Sequence, residues 1–165
     1  MKKVTTLFTM ALLIASLAYG QDKAIDYKTL LDKIPESIKG YSQDGDPDGM
    51  NMDMNGMAWA SATRNFSNGD KNMSITIVDY HGAASMYTGF AMAWGNSMHF
   101  ENESSIAGTT TVDGFPGVEN YDKKEKSSSL ILGVNERYYL SIQVDEDLDF
   151  AKSIVSTLKL SSLPE

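Results

Sequence analysis

Two adjacent segments of this chain carry side chains that could do chemistry, and they suit opposite ions. Asp44, Asp46 and Asp48, followed by Gly49, match the D-x-D-x-D-G opening of a calcium loop. Oxygen ligands two residues apart can converge on one hard cation, and the glycine permits the sharp turn. The match then weakens: Asn51 stands where the loop wants an aliphatic residue, Asn55 where it wants a bidentate Glu, and Pro47 restricts its path. An acidic, solvated turn is the competing reading. Immediately beyond lie Met50, Met52, Met54 and Met57. Soft thioether sulfur selects soft metals such as Cu(I), strand spacing puts the first three on one face, and His81, Met98 and His99 are further candidate ligands. Methionine is equally an adaptable apolar filler, and a Met/Trp strand face then simply packs against something.

A catalytic constellation is harder to assemble. His81 lies in Asp79-Tyr80-His81-Gly82, and a small hydrolase built on it would need a nucleophile and a carboxylate within reach. There is no cysteine, no G-x-S-x-G, no H-E-x-x-H and no glycine-rich phosphate loop. Acid pairs such as Glu101/Glu103 and Asp145/Asp147 occur in a chain rich in acids, where exposure is the default. No catalytic residue is assigned.

The elements that would position these residues follow from periodicity and turn chemistry. Asp26 caps a first helix with Tyr27, Leu30, Leu31 and Ile34 on one face, ended by Pro35. Asn55-Gly56 and Asn68-Gly69 read as two-residue hairpin turns, giving strands near 50–54, 57–66 and 71–80. The first turn pairs Met54 with Met57 and Met52 with Trp59; the second pairs Ala62 with Ile75 and Ala60 with Ile77. One face then carries Ala60, Ala62, Phe66, Met73, Ile75 and Ile77, and is taken as core. The other carries Met52, Met54, Met57, Trp59, Val78 and Tyr80, a candidate binding face if helices cover only the first. Residues 83–94 read as a buried central helix. Strands follow near 105–112, 117–125, 129–134 and 137–144, and a closing helix begins near Asp147. This order predicts an α+β fold: an antiparallel sheet of six to seven strands with an N-terminal, a central and a C-terminal helix packed on it.

The address is written in the first twenty residues. Lys2 and Lys3 precede an almost uncharged run, and Ala18-Tyr19-Gly20 offers small residues for a signal peptidase, so residues 1–20 read as a secretory signal peptide cleaved before Gln21. Residues 21–165 then form a single domain, periplasmic or secreted, able to build a core without staples. Losing Lys2 and Lys3 takes the formal charge from −8 to −10. So acidic a surface repels phosphate backbones and anionic lipid, which argues against nucleic acid as a partner. No second apolar run approaches the ~20 residues needed to span a bilayer, so no membrane insertion is expected after cleavage.

The helix ending at Pro35 and Gly40-Tyr41, the helix between two groups of strands, Val112-Asp113-Gly114-Phe115-Pro116-Gly117 followed by Tyr121, and Arg137-Tyr138-Tyr139 before the closing helix resemble the small exported domains of the Mog1/PsbP-like superfamily. That resemblance spans most of the mature chain. It implies a binding or assembly factor without a shared catalytic set, and it carries over no functional residue. Together with the missing motifs, it makes the expected function a non-catalytic binding or accessory protein of the bacterial envelope, with an envelope protein or small ligand as partner. The alternatives are a metal-binding exported protein, with Ca²⁺ at Asp44, Asp46 and Asp48 or Cu(I) at the methionines, and the His81 hydrolase; no other cofactor is expected. Intact-mass measurement of exported protein should show a chain beginning at Gln21, and recovery of full-length chain from periplasm or medium would contradict the assigned address.

Overall fold

The computed structural model describes residues 23–164, so the signal-peptide assignment lies outside the described residues. In chain order the elements are α1 (Tyr27–Leu31), β1 (Ser37–Ile38), β2 (Tyr41–Gln43), β3 (Asp48–Met54), β4 (Met57–Asn68), β5 (Lys71–Gly82), α2 (Ala84–Ala91), β6 (His99–Glu101), β7 (Ser105–Val112), β8 (Phe115–Asp122), β9 (Ser127–Val134), β10 (Tyr138–Val144), α3 (Leu148–Val155) and a 3₁₀ turn (Leu160–Ser162). All ten strands join one sheet in the order β1-β2-β4-β5-β10-β9-β8-β7-β6, with β3 also paired to β4. Every pairing is antiparallel.

This corrects the α+β expectation of six to seven strands under three packed helices. The protein is mostly β, and its helices are only five, eight and eight residues long. The additional strands β1, β2 and β6 are two or three residues each, too short for alternation to announce them. The helices stop early for local reasons. Leu31 is followed by a turn into Pro35; α2 starts without a side-chain cap at Ala83 and gives way to a turn ahead of Gly95-Asn96.

Turn chemistry sets the register. Asn55 and Gly56 both take positive φ, joining Met54 directly to Met57, and Asp113-Gly114 does the same between Val112 and Phe115. The hairpin between β4 and β5 differs from expectation. Asn68 pairs with Lys71, so the loop is Gly69-Asp70, and Ala62 lies opposite Ile77 rather than Ile75. Gly69, at φ 67°, suits the first position of a type II′ turn, which Asn does not. Because the displacement is two residues, every side chain keeps its face.

One face is closed. Ala60, Ala62, Phe66, Ile75, Ile77, Leu130, Leu132, Leu140 and Ile142 are fully buried beneath α1, α3 and the segments around them, which contribute Leu30, Ile34, Tyr41, Ala151, Ile154 and Val155. Gly49 admits the Tyr27 ring so closely that a Cβ there would overlap it. Tyr41 donates its hydroxyl to Glu146 Oε1 at 3.3 Å. Burial, then the charge of Glu146, pushes its phenol up to about 12.

At the end of this core sits a buried ion pair. Asp79, with no exposed surface, accepts two parallel bonds from Arg137, Nε to Oδ1 and Nη2 to Oδ2, both 2.8 Å. It also accepts the backbone N–H of Ile25 at 2.7 Å and of His81 at 2.9 Å. Tyr80 donates its N–H to the Arg137 carbonyl, and the guanidinium lies over the Tyr138 ring. One carboxylate thus ties together the chain's first described residues, an irregularity in β5 where pairing slips between Ala58 and Ala60, and the β9–β10 loop. Arg137→Leu leaves that charge buried and unpaired, a loss of about 3–5 kcal/mol. Adding Asp79→Asn to the same chain should recover part of it; thermal melts of the single and double variants provide the check, and additive losses would show that the two groups do not act as a pair.

Candidate functional site

The opposite face of the sheet is only partly covered. There α2 and the turn after it lie across one end, where Tyr80, Ala83 and Tyr87 are buried against Met57, Trp59, Val78, Trp94 and Tyr139. Rings stagger through this cluster, with Tyr80 and Phe90 centroids 5.7 Å apart, Phe90 and Tyr139 5.2 Å, and Tyr87 and Trp94 6.4 Å. Burial raises the phenols of Tyr80, Tyr87 and Tyr139 above their ordinary range. The helix sits close because Gly133 has no side chain: a Cβ there would come within 2.5 Å of the Tyr87 hydroxyl and 2.8 Å of the Trp94 ring.

The candidate binding face is therefore divided. Met50, Met52 and Met54 point from β3 to the same side as Met57 and Trp59, opposite Ser61, Trp59 and Met57 respectively. They are 47, 38 and 50 % exposed. Met57 and Trp59 are half-buried, and Tyr80 is buried. Helical cover on both faces corrects the premise that only the Ala/Ile side is covered. What stays open is the β3 methionine edge, together with Met86 and Phe90 on α2 and Met92 just after it.

Other candidates are placed apart. Asp44 donates its backbone N–H to Asn65, Asp46 lies in the following loop, and Asp48 opens β3, where its carboxylate accepts from Gly49 N. Among the described residues, no three His, Cys, Asp or Glu side chains gather as a metal-holding group. Met98 precedes β6 and His99 opens it, at the far end of the strand order from β3 and β4. His81 borders a cleft of about 270 Å³ with Lys23, Asp53 and Ala58, and no serine lines it. The neighbouring Asp79 carboxylate, one of the acids that could orient the imidazole, is occupied by Arg137 and two backbone N–H groups, while Asp53 lines the same cleft as His81.

A feature that periodicity does not announce lies at the other end of the open face. A groove of about 670 Å³ crosses β4, β5, β10, β9 and β8, lined along its length by Asn65, Ser74, Gln143, Ser129 and Asn120. Each of these is an ordinary outward-facing polar residue on its own strand; only the register makes them neighbours. No known protein family, curated protein or solved structure matches the chain. Gly133→Leu should evict Tyr87 and Trp94, red-shift tryptophan emission and lower stability by about 1–3 kcal/mol; unchanged emission would mean that α2 does not rest on this glycine.

Proposed function

We propose that this chain is an exported, non-catalytic binding or accessory protein of the bacterial envelope, and that a protein partner meets it at the methionine edge of β3. The observation that carries this reading is the exposure of Met50, Met52 and Met54 on a strand paired on one side only. Contiguous exposed apolar side chains on a soluble domain mark interaction sites, and methionine adapts its shape to what it meets. Edge strands that avoid partners are blunted by charged side chains, lysine above all, by proline or by a covering element. Asp48–Met54 contains no lysine or proline, and its two charges, Asp48 at the strand start and Asp53 between Met52 and Met54, do not interrupt the methionine row. Met86 and Phe90 on α2, with Met92 at its C-terminal end, add further exposed apolar surface. The resemblance to Mog1/PsbP-like domains, whose members act mainly in binding and assembly, agrees with this role. The binding reading is favoured over the His81 hydrolase because no serine lines the cleft beside His81 and the Asp79 carboxylate is already engaged.

A photo-crosslinking residue placed at Met52 in the native envelope should yield one discrete adduct band, while the same group at exposed Lys124 yields none. Equal labelling at both positions, or none at Met52, would contradict the proposed edge.

A further inference from the structure

The polar groove is separate from the methionine edge, and its chemistry is different. Its residues form a continuous cross-strand row: Asn65 lies opposite Ser74, Ser74 opposite Gln143, Gln143 opposite Ser129, and Ser129 opposite Asn120. With strands ~4.8 Å apart, the row runs about 19 Å. None of these five side chains hydrogen-bonds to another described residue, whereas Thr63 and Thr76 in the next row bond to each other at 2.8 Å. Three amides and two hydroxyls thus face a concavity with donors and acceptors unspent. The volume lies within the ~300–1,000 Å³ of small-ligand sites.

Charge selects the occupant. The lining includes Asp44, Asp122 and Asp145 and no lysine, arginine or histidine. An anionic ligand would meet three acids and no counter-charge. Two of the three acids are already engaged by neighbouring donors, which leaves Asp44 alone and, among the described residues, no cluster of carboxylates to trap a cation. Asp145 accepts from the backbone and side-chain nitrogens of Asn72, and Asp122 from the N–H groups of Lys124 and Glu125. What remains is a neutral floor of groups that donate and accept at once, which is the pattern hydroxyl groups require. One step along the same face, beside Ser129 and Asn120, Ile131 and Val118 lie opposite each other and half-exposed, an apolar shelf for C–H surface.

We propose that this groove is a binding site for an uncharged, hydroxyl-rich ligand of the saccharide class. Asn65, Gln143 and Asn120 engage hydroxyls bidentately, Ser74 and Ser129 fill the gaps between them, and Ile131 and Val118 support the apolar face of a ring. The site does not depend on the methionine edge.

The experiment has two stages on the mature chain. An array of neutral, amino-bearing and uronic-acid oligosaccharides identifies binders, and a neutral binder is then titrated into ¹⁵N-labelled protein. Retention of neutral oligosaccharides is expected, with the side-chain amide signals of Asn65, Asn120 and Gln143 shifting together. Asn120→Leu and Gln143→Leu should each weaken binding at least tenfold with the melting temperature unchanged. Met52→Asp should leave glycan binding intact, so failure of the proposed protein-partner edge is read separately from failure of this site. Retention of no neutral oligosaccharide, retention only of charged ones, or shifts confined to residues outside the groove would overturn the proposal.

Discussion

The carboxylate of Asp79 is the constraint around which the sheet is organised. A fully buried charge is tolerated only when its hydrogen-bonding capacity is met, and here four donors from three distant parts of the chain converge on it. Asp79 continues the closed-face alternation of Met73, Ile75 and Ile77, Tyr80 enters the aromatic cluster on the other face, and the β5 irregularity follows directly after them, at His81. Arg137 can reach the carboxylate because Asn135 and Glu136, both at positive φ, fold the preceding loop back over the sheet end. The N-terminal segment is pinned by the same group, which positions Asp26 to cap α1. There Asn51 on β3 joins the cap, accepting from Tyr27 N and donating to Asp26.

From that anchoring the two faces take different roles. The closed face is apolar and covered by α1, α3 and their flanking segments. The open face is graded: aromatic rings beneath α2, then hydroxyl and apolar side chains at mid-sheet, then the amide and hydroxyl row, with aspartates along its rim. A sheet that needed both faces for stability would carry apolar residues across both. This one closes its second face only where Gly133 admits a helix, and the uncovered remainder is where both binding proposals reside.

Much of this was legible in the residues. Alternation in β4 and β5 sorted Ala60, Ala62, Ile75 and Ile77 from Trp59 and Val78, and Asn55-Gly56 set the first hairpin. Asp147 was readable as the start of the closing helix, and it caps α3 through Phe150 N. Three things were not legible. Strands of two or three residues leave no periodic trace, so the sheet was underestimated. The turn at Gly69-Asp70 competed with Asn68-Gly69 on nearly equal local terms. The groove's residues come from five strands whose order, with β10 beside β5, is not the order of the chain, and polar residues facing outward on single strands look unremarkable until that order is known.

The division into a closed and an open face is the claim on which everything else rests, and the methionines report it directly. Graded peroxide oxidation of the folded mature chain, followed by peptide mapping of methionine sulfoxide, ranks each thioether by its access to solvent. Met73, 2 % exposed on the closed face, should resist until the protein unfolds, while Met50, Met52, Met54, Met92 and Met98 oxidise early and without loss of the fold. Oxidation of Met73 at the rate of the β3 methionines, or protection of the β3 methionines equal to that of Met73, would contradict the account.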